Sequence, residues 1–161
     1  MPDVDISQPI PTVAREVPAE WVDYNGHMNE SRYLQAFSDA SDRFMQIIGV
    51  DADYLALGGS YFTVETHICH LDEVRAGAWV RVDTQCLSGA GKKMHLFHRI
   101  WEGERLLATG EQMLIHVSLE TRKASVPADK IAKRLAEIAV AQAGLAVPEQ
   151  VGRAIGGEAG N

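Results

Sequence analysis

The feature that most limits what this chain can fold into is the order of its hydrophobic patterns. One long amphipathic helix is followed by four strand-like segments with little between them. From about Asn29 to Ile48, Tyr33, Phe37, Ala40, Phe44 and Ile47 recur at spacings of four and three and form one apolar face. Arg32, Asp39, Asp42 and Arg43 fall largely off that stripe, Asn29 suits an N-cap, and Gly49 suits a terminator. From Ser60 the period shortens towards two. Tyr61–Leu71, Trp79–Leu87, Met94–Trp101 and Leu106–Leu119 are rich in β-branched and aromatic residues. Their breaks, around Arg75-Ala76-Gly77, Ser88-Gly89-Ala90-Gly91 and Glu102-Gly103-Glu104, read as turns. Thr12–Val17 is a first strand ended by Pro18, Asp51 caps a short helix through Leu57, and Pro127-Ala128-Asp129 opens a last helix to about Ala143. The expectation is an α+β domain: a five-stranded antiparallel sheet, its last four strands a meander, covered on one face by the long helix. Such a sheet leaves an edge strand open to a second copy.

Residues 1–10 read as a flexible leader, 11–143 as the folded domain with its C-terminal helix, and 144–161 as a Gly- and Ala-rich tail. The formal net charge of −7 argues against nucleic acid as a partner, although local cations can still hold an anion. No run approaches the roughly 18 apolar residues of a membrane span, and the start lacks a basic region followed by an apolar one. Cys69 and Cys86 make no disulfide framework; both read as small buried strand residues, which suits the cytoplasm.

Immediately before the long helix, Trp21–Leu34 packs a carboxylate (Asp23), an Asn25-Gly26 turn, His27 and the capping Asn29 into one corner. Backbone donors and a helix N-terminus placed beside an acid can stabilise developing negative charge. An ordinary capped strand-to-helix connection is the competing reading.

Asp23, Gly26 and Tyr33 keep the spacing of a known signature, with Gly three residues after Asp and Tyr seven further on. On these residues the chain resembles the hotdog-fold acyl-CoA thioesterases of the 4-hydroxybenzoyl-CoA thioesterase type, over roughly residues 12–120. The segments Trp21–Met28, Phe62–Ile68, His95–Arg99 and Gly110–Val117 are similar to betainyl-CoA thioesterases of carnitine degradation, which also occur fused to L-carnitine dehydrogenases. The resemblance implies thioester hydrolysis without a cofactor, an acyl-CoA substrate, and a homodimer, with a tetramer of two dimers left open. Other short-chain or aromatic acyl-CoAs, and a non-catalytic acyl-binding protein, remain the alternatives.

Thioester hydrolysis needs a base or nucleophile and donors for the thioester oxygen. The resemblance makes Asp23 the catalytic carboxylate, acting either as general base on water or as nucleophile. Backbone amides across Met28, Asn29 and Glu30 are the expected oxyanion donors. Asn25 and His27 either orient Asp23 or serve the turn. Glu65 is a second acid, an attractor for a cationic acyl group, or a solvated edge residue. Trp21, Tyr24, Tyr61 and Trp101 are the aromatics to consider for a quaternary ammonium cage, against the ordinary role of aromatics in cores. Lys92, Lys93, Arg122 and Lys123 are candidates for the CoA phosphates, or simply solvated charges. His67, Cys69 and His70 lack the spacing of a zinc site, since on a strand His70 points away from the other two. No Gly-x-Ser-x-Gly elbow is present.

Overall fold

A computed structural model describes residues 3–157. The first two residues of the expected leader and the last four of the expected tail lie outside the described residues. The chain runs β1 (Ile10–Glu16), a 3-10 turn (Ala19–Trp21), α1 (Glu30–Ile48), α2 (Ala52–Ala56), β2 (Gly59–His70), β3 (Trp79–Ala90), β4 (Lys93–Glu102), β5 (Arg105–Ser118) and α3 (Asp129–Gln142).

The five strands form one antiparallel sheet in the order β1-β3-β4-β5-β2. β3, β4 and β5 are the expected meander. β2 is the correction: it pairs with β5 rather than β3, and forms the edge opposite β1. The link from β2 to β3 is too long for a tight hairpin. It crosses the corner before α1 on its way, so that Val74 O accepts the Met28 N–H at 2.8 Å.

The helix forms where its pattern requires. The Asn29 side chain accepts from the Ser31 N–H, and Gly49 closes α1 at φ 100°, a left-handed conformation that glycine adopts without strain. Tyr33, Ala36, Phe37, Ala40, Phe44 and Ile48 bury one face of α1 on the sheet. Phe37 lies directly on Gly110, where a Cβ would come within 2.5 Å of its ring. From the opposite face, Gln85 Nε2 donates to Ala146 O and Gly152 N–H donates to the Glu111 carboxylate, so residues 146–152 pass over the outer side of the sheet. One helix wrapped by a five-stranded antiparallel sheet is the hotdog arrangement. Cys86 is buried as expected, whereas Cys69 on edge strand β2 is half-buried.

Candidate active site

The corner before α1 is a miniature hairpin. Val22 and Met28 bridge across it, Gly26 N–H donates to Asp23 O at 3.0 Å, and Asp23 N–H donates to His27 O at 3.2 Å. Gly26 takes φ 82°, the reason glycine stands there. Asp23 occupies the turn position where a carboxylate folds back on the chain: its Oδ1 accepts the Asn25 N–H at 2.9 Å. Its Oδ2 accepts Asn29 Nδ2–H at 2.8 Å. Asn29 therefore caps α1 with one end of its amide and holds Asp23 with the other. The Asn29 bond, then the Asn25 amide, and more weakly the nearby His27, hold the Asp23 carboxyl below its usual range. Asp23 is half-buried and ionised, with lone pairs on both oxygens still open to a water or a carbonyl carbon.

Of the three amides expected as oxyanion donors, two are engaged. Met28 N–H bonds Val74 O and Asn29 N–H bonds Trp21 O, each at 2.8 Å. Glu30, the first helical residue, has no preceding helical carbonyl to meet, and its amide keeps the free N–H of a helix start. His27 does not orient Asp23 by a bond. Its Nε2 lies 3.4 Å from Glu73 Oε2 across a cleft of about 310 Å³. His27, Glu30, Tyr33, His70, Asp72 and Glu73 are among the residues lining that cleft. Sequence reasoning weighed His70 only against a zinc site and missed Asp72 and Glu73. The one available signal was an acidic pair in the break after β2, where turn residues are expected anyway.

Glu65 is not in this corner. The pairing of β2 with β5 slips between Thr63 and Glu65, and this bulge turns Glu65 away from the helix-facing side that Tyr61 occupies. Glu65 instead lines an outer-face cleft of about 270 Å³ with His67, His95, Glu111, Met113 and Arg153. There His95 Nε2 meets Glu111 Oε2 at 2.9 Å. His67 and Cys69 share this face, with Nε2 and Sγ 3.9 Å apart, while His70 packs edge-on against Tyr33 on the other.

The four aromatics do not converge within one chain. Trp21 is 4% exposed, and the Arg15 guanidinium lies 3.9 Å over its ring. Tyr24 is 97% exposed at the turn tip. Tyr61 is buried against His116. Trp101 donates its indole N–H to Asp83 on the outer face. The four cationic residues, by contrast, are carried by backbone at one end of the sheet. Lys93 sits opposite Ile115, and Ile115 opposite Phe62. The Arg122 guanidinium lies 5.4 Å over the Phe62 ring. Lys92 O and Lys123 O accept the amides of His116 and Ser118. This basic end adjoins the start of β2, whereas the Asp23 corner adjoins its other end. A strand of that length separates them by roughly 30–40 Å.

Residues 17–137 match the model of the thioesterase-like superfamily. An L-carnitine dehydrogenase/betainyl-CoA thioesterase of Ruegeria pomeroyi is 62% identical over 158 residues, 96% of this chain and 32% of that protein. The chain thus spans about a third of the length of the fused relatives it matches. A betainyl-CoA thioesterase of Pseudomonas aeruginosa is 42% identical over 94% of this chain and 97% of its own length. Among solved structures, a Staphylococcus aureus protein in complex with CoA superimposes with TM-score 0.83 at 25% identity, covering 91% of this chain and 94% of that one. By sequence and by fold, the chain belongs to the thioesterase-like superfamily.

Proposed function

We propose that this protein hydrolyses a small acyl-CoA, betainyl-CoA before others, releasing betaine and CoA in carnitine degradation in the cytoplasm. The observation that carries the reading is the Asp23 carboxylate, held by Asn29 Nδ2 and the Asn25 amide at the tip of α1. That group either activates water or attacks the thioester carbon, and the Glu30 amide at the helix start is the donor left for the developing oxyanion. No helix among the described residues is long and apolar enough to cross a membrane.

Charge supports the substrate class. The cleft beyond His27 carries Glu30, Glu73 and Asp72; the Asp72 carboxylate is paired with Arg105 at 2.9 Å, so Glu30 and Glu73 are the charges that suit a trimethylammonium group. A cation about 5 Å from one such carboxylate gains on the order of 1–3 kcal/mol at an effective dielectric of 20 or more. The four cationic residues suit the phosphates of CoA, but their backbone lies at the far end of β2 in the same chain. A homodimer resolves this. β2 is an edge strand, and its Phe62 and Val64 are exposed at 39% and 60%. Two copies joined antiparallel along β2 bring the basic end of one beside the Asp23 corner of the other.

The test is release of free CoA thiol from betainyl-CoA, acetyl-CoA, benzoyl-CoA and 3,3-dimethylbutyryl-CoA. The last has the shape of the betainyl group without its charge. Betainyl-CoA is expected to exceed this neutral mimic in kcat/KM by about ten- to a hundredfold. Asp23→Asn is expected to lower kcat by about a hundredfold or more. Equal rates for the charged and neutral acyl groups would remove the substrate assignment. No thiol release from any member would favour a non-catalytic acyl-binding protein.

A further inference from the structure

Beneath α1 the helix–sheet interface is not wholly apolar. Ser41, Thr84, His98 and Gln112 are all buried there. His98 Nδ1 lies 2.8 Å from Thr84 Oγ1, and His98 Nε2 lies 2.9 Å from Ser41 Oγ. The Ser41 hydroxyl donates to Gln112 Oε1, and Gln112 Nε2 donates to Thr66 Oγ1 at 3.3 Å. On the other flank the Thr12 and Thr84 hydroxyls are 2.9 Å apart. One residue from each of the five strands is joined in a single chain, which α1 enters through Ser41.

Counting protons gives this chain a direction. The Ser41 hydroxyl has one hydrogen, committed to Gln112 Oε1; that oxygen can only accept and also lies 3.2 Å from His98 Nε2, so Nε2 carries a hydrogen shared between Ser41 Oγ and Gln112 Oε1. A neutral imidazole then has a bare Nδ1, which accepts the Thr84 hydroxyl. Complete burial pushes the His98 pKa down to about 4, so this neutral form is the one present near pH 7. His98 also stacks on Phe37, with centroids 5.6 Å apart and planes at 13°. Phe37 and Ser41 are one turn apart on α1. A helix gripped at both positions by one imidazole cannot turn or slide without breaking the stack or the bond.

We propose that His98, acting through Ser41 and Phe37, is a positioning residue that sets the axial register of α1 and hence the place of the Asn29 amide against the Asp23 carboxylate. The apolar contacts of Ala40 and Phe44 tolerate a small slide; a hydrogen bond does not. Asn29 lies about 12 Å along the axis from Phe37. The tip is also held by Asn29 N–H to Trp21 O and Met28 N–H to Val74 O, so a shift carried along the stiff helix from the imidazole sets the helix end against these bonds and the one to Asp23 together. A slide of about 1 Å would break the bond to Asp23. Only the turnover readout of this inference rests on the hydrolase reading.

The test compares Ser41→Ala with Phe44→Leu, a control that weakens the apolar part of the same interface. Both are expected to lower Tm. Ser41→Ala alone should lower kcat about tenfold or more with KM within about twofold. It should also move the acid limb of kcat/KM upward, because the Asn29 bond is the main cause of the low Asp23 pKa. His27 and, behind it, Glu73 are the titratable groups around Asp23, and both variants leave them unchanged. A carboxyl 13C titration of Asp23 reads the same effect without turnover: its midpoint rises in Ser41→Ala and stays in place in Phe44→Leu. Thr84→Val removes the donor to Nδ1 while keeping Ser41 and Asp23. It should shift the midpoint the same way by less, and it replaces Ser41→Ala if that variant does not fold. Equal kcat and equal Asp23 midpoints in the test and control variants overturn the proposal. A wild type that cleaves no acyl-CoA, with an Asp23 midpoint still raised in Ser41→Ala, leaves the positioning role standing and removes the hydrolase reading.

Discussion

Asn29 does two jobs with two ends of one amide, and substitutions can separate them. Its Oδ1 accepts the Ser31 N–H at 3.0 Å and caps α1; its Nδ2 donates to Asp23 at 2.8 Å. Asn29→Ala removes both. Loss of an N-cap costs about 1 kcal/mol, which lowers Tm by about 2–4 °C in a domain of this size. Asn29→Ser keeps an oxygen that caps nearly as well, but its hydroxyl is one bond shorter than the amide and falls short of Asp23, so its Tm should drop by less than that of Asn29→Ala, which loses both bonds. In both variants the Asp23 carboxyl loses the largest influence holding its pKa down, and the acid limb of kcat/KM moves to higher pH. Asn29→Asp also caps the helix but sets a second carboxylate beside the first, so the limb moves further still. Thermal denaturation and kcat/KM from pH 3 to 8 on the three variants are the assays. The sign for stability is fixed by the same bond. A carboxyl lowered in the folded state contributes stability above its ordinary pKa of 3.8, and that contribution fades as pH falls through the lowered value. An Asn29→Ser protein with the wild-type acid limb, or one losing as much Tm as Asn29→Ala, would refute the double role.

Three further outcomes follow from the geometry. His98, pushed from 6.5 to about 4, is neutral when folded and charged when unfolded between those values. Stability should therefore be full above pH 6.5 and fall as pH drops towards 4, by on the order of 3 kcal/mol, as urea unfolding at pH 7 and pH 4.5 would measure. Gly110→Ala forces a methyl into the Phe37 ring and should destabilise by about 1–3 kcal/mol in the same assay. Glu65→Gln, which alters the outer-face cleft rather than the Asp23 corner, should change kcat by less than about threefold, and a hundredfold loss would return Glu65 to the reaction.

What the sequence made legible follows the range over which each interaction acts. α1, its cap at Asn29 and its stop at Gly49 come from local periodicity and local hydrogen bonds, and all three stand as read. The β4–β5 hairpin, with Gly103 at φ 57°, is equally local. The partner of β2 was not legible, because alternation records which face of a strand is buried and nothing about which strand lies beside it. The face that Glu65 occupies was not legible because of a single bulged residue: a strict period of two places Tyr61, Thr63 and Glu65 together, and one extra residue at Val64 reverses the last. Trp21 and Tyr61 read as aromatics available to a ligand, but an aromatic pattern cannot say that an Arg15 guanidinium or a His116 ring already occupies the face. The place of Asp23 at the corner was legible because a turn and a cap confine it to a few residues. The polar chain through His98 was not, since its members are drawn from α1 and all five strands.

The charge distribution reconciles an acidic protein with the anionic substrate proposed for it. A net charge of −7 describes the whole chain, whereas a ligand meets only the few groups within a Debye length, about 8–10 Å, of its own charges. The proposed substrate is itself divided, with phosphates at one end and a quaternary ammonium at the other. The protein is divided likewise, with Lys92, Lys93, Arg122 and Lys123 at one end of β2 and, once Asp72 is paired with Arg105, Glu30 and Glu73 at the other. Within one chain the two signs stand too far apart for one CoA thioester to touch both. Antiparallel pairing of the β2 edges is the arrangement that places opposite signs at each end of the seam. A dimer of that kind would therefore bind CoA with an affinity that falls steeply with salt, while the preference for a cationic acyl group, set inside the smaller cleft, would be less sensitive.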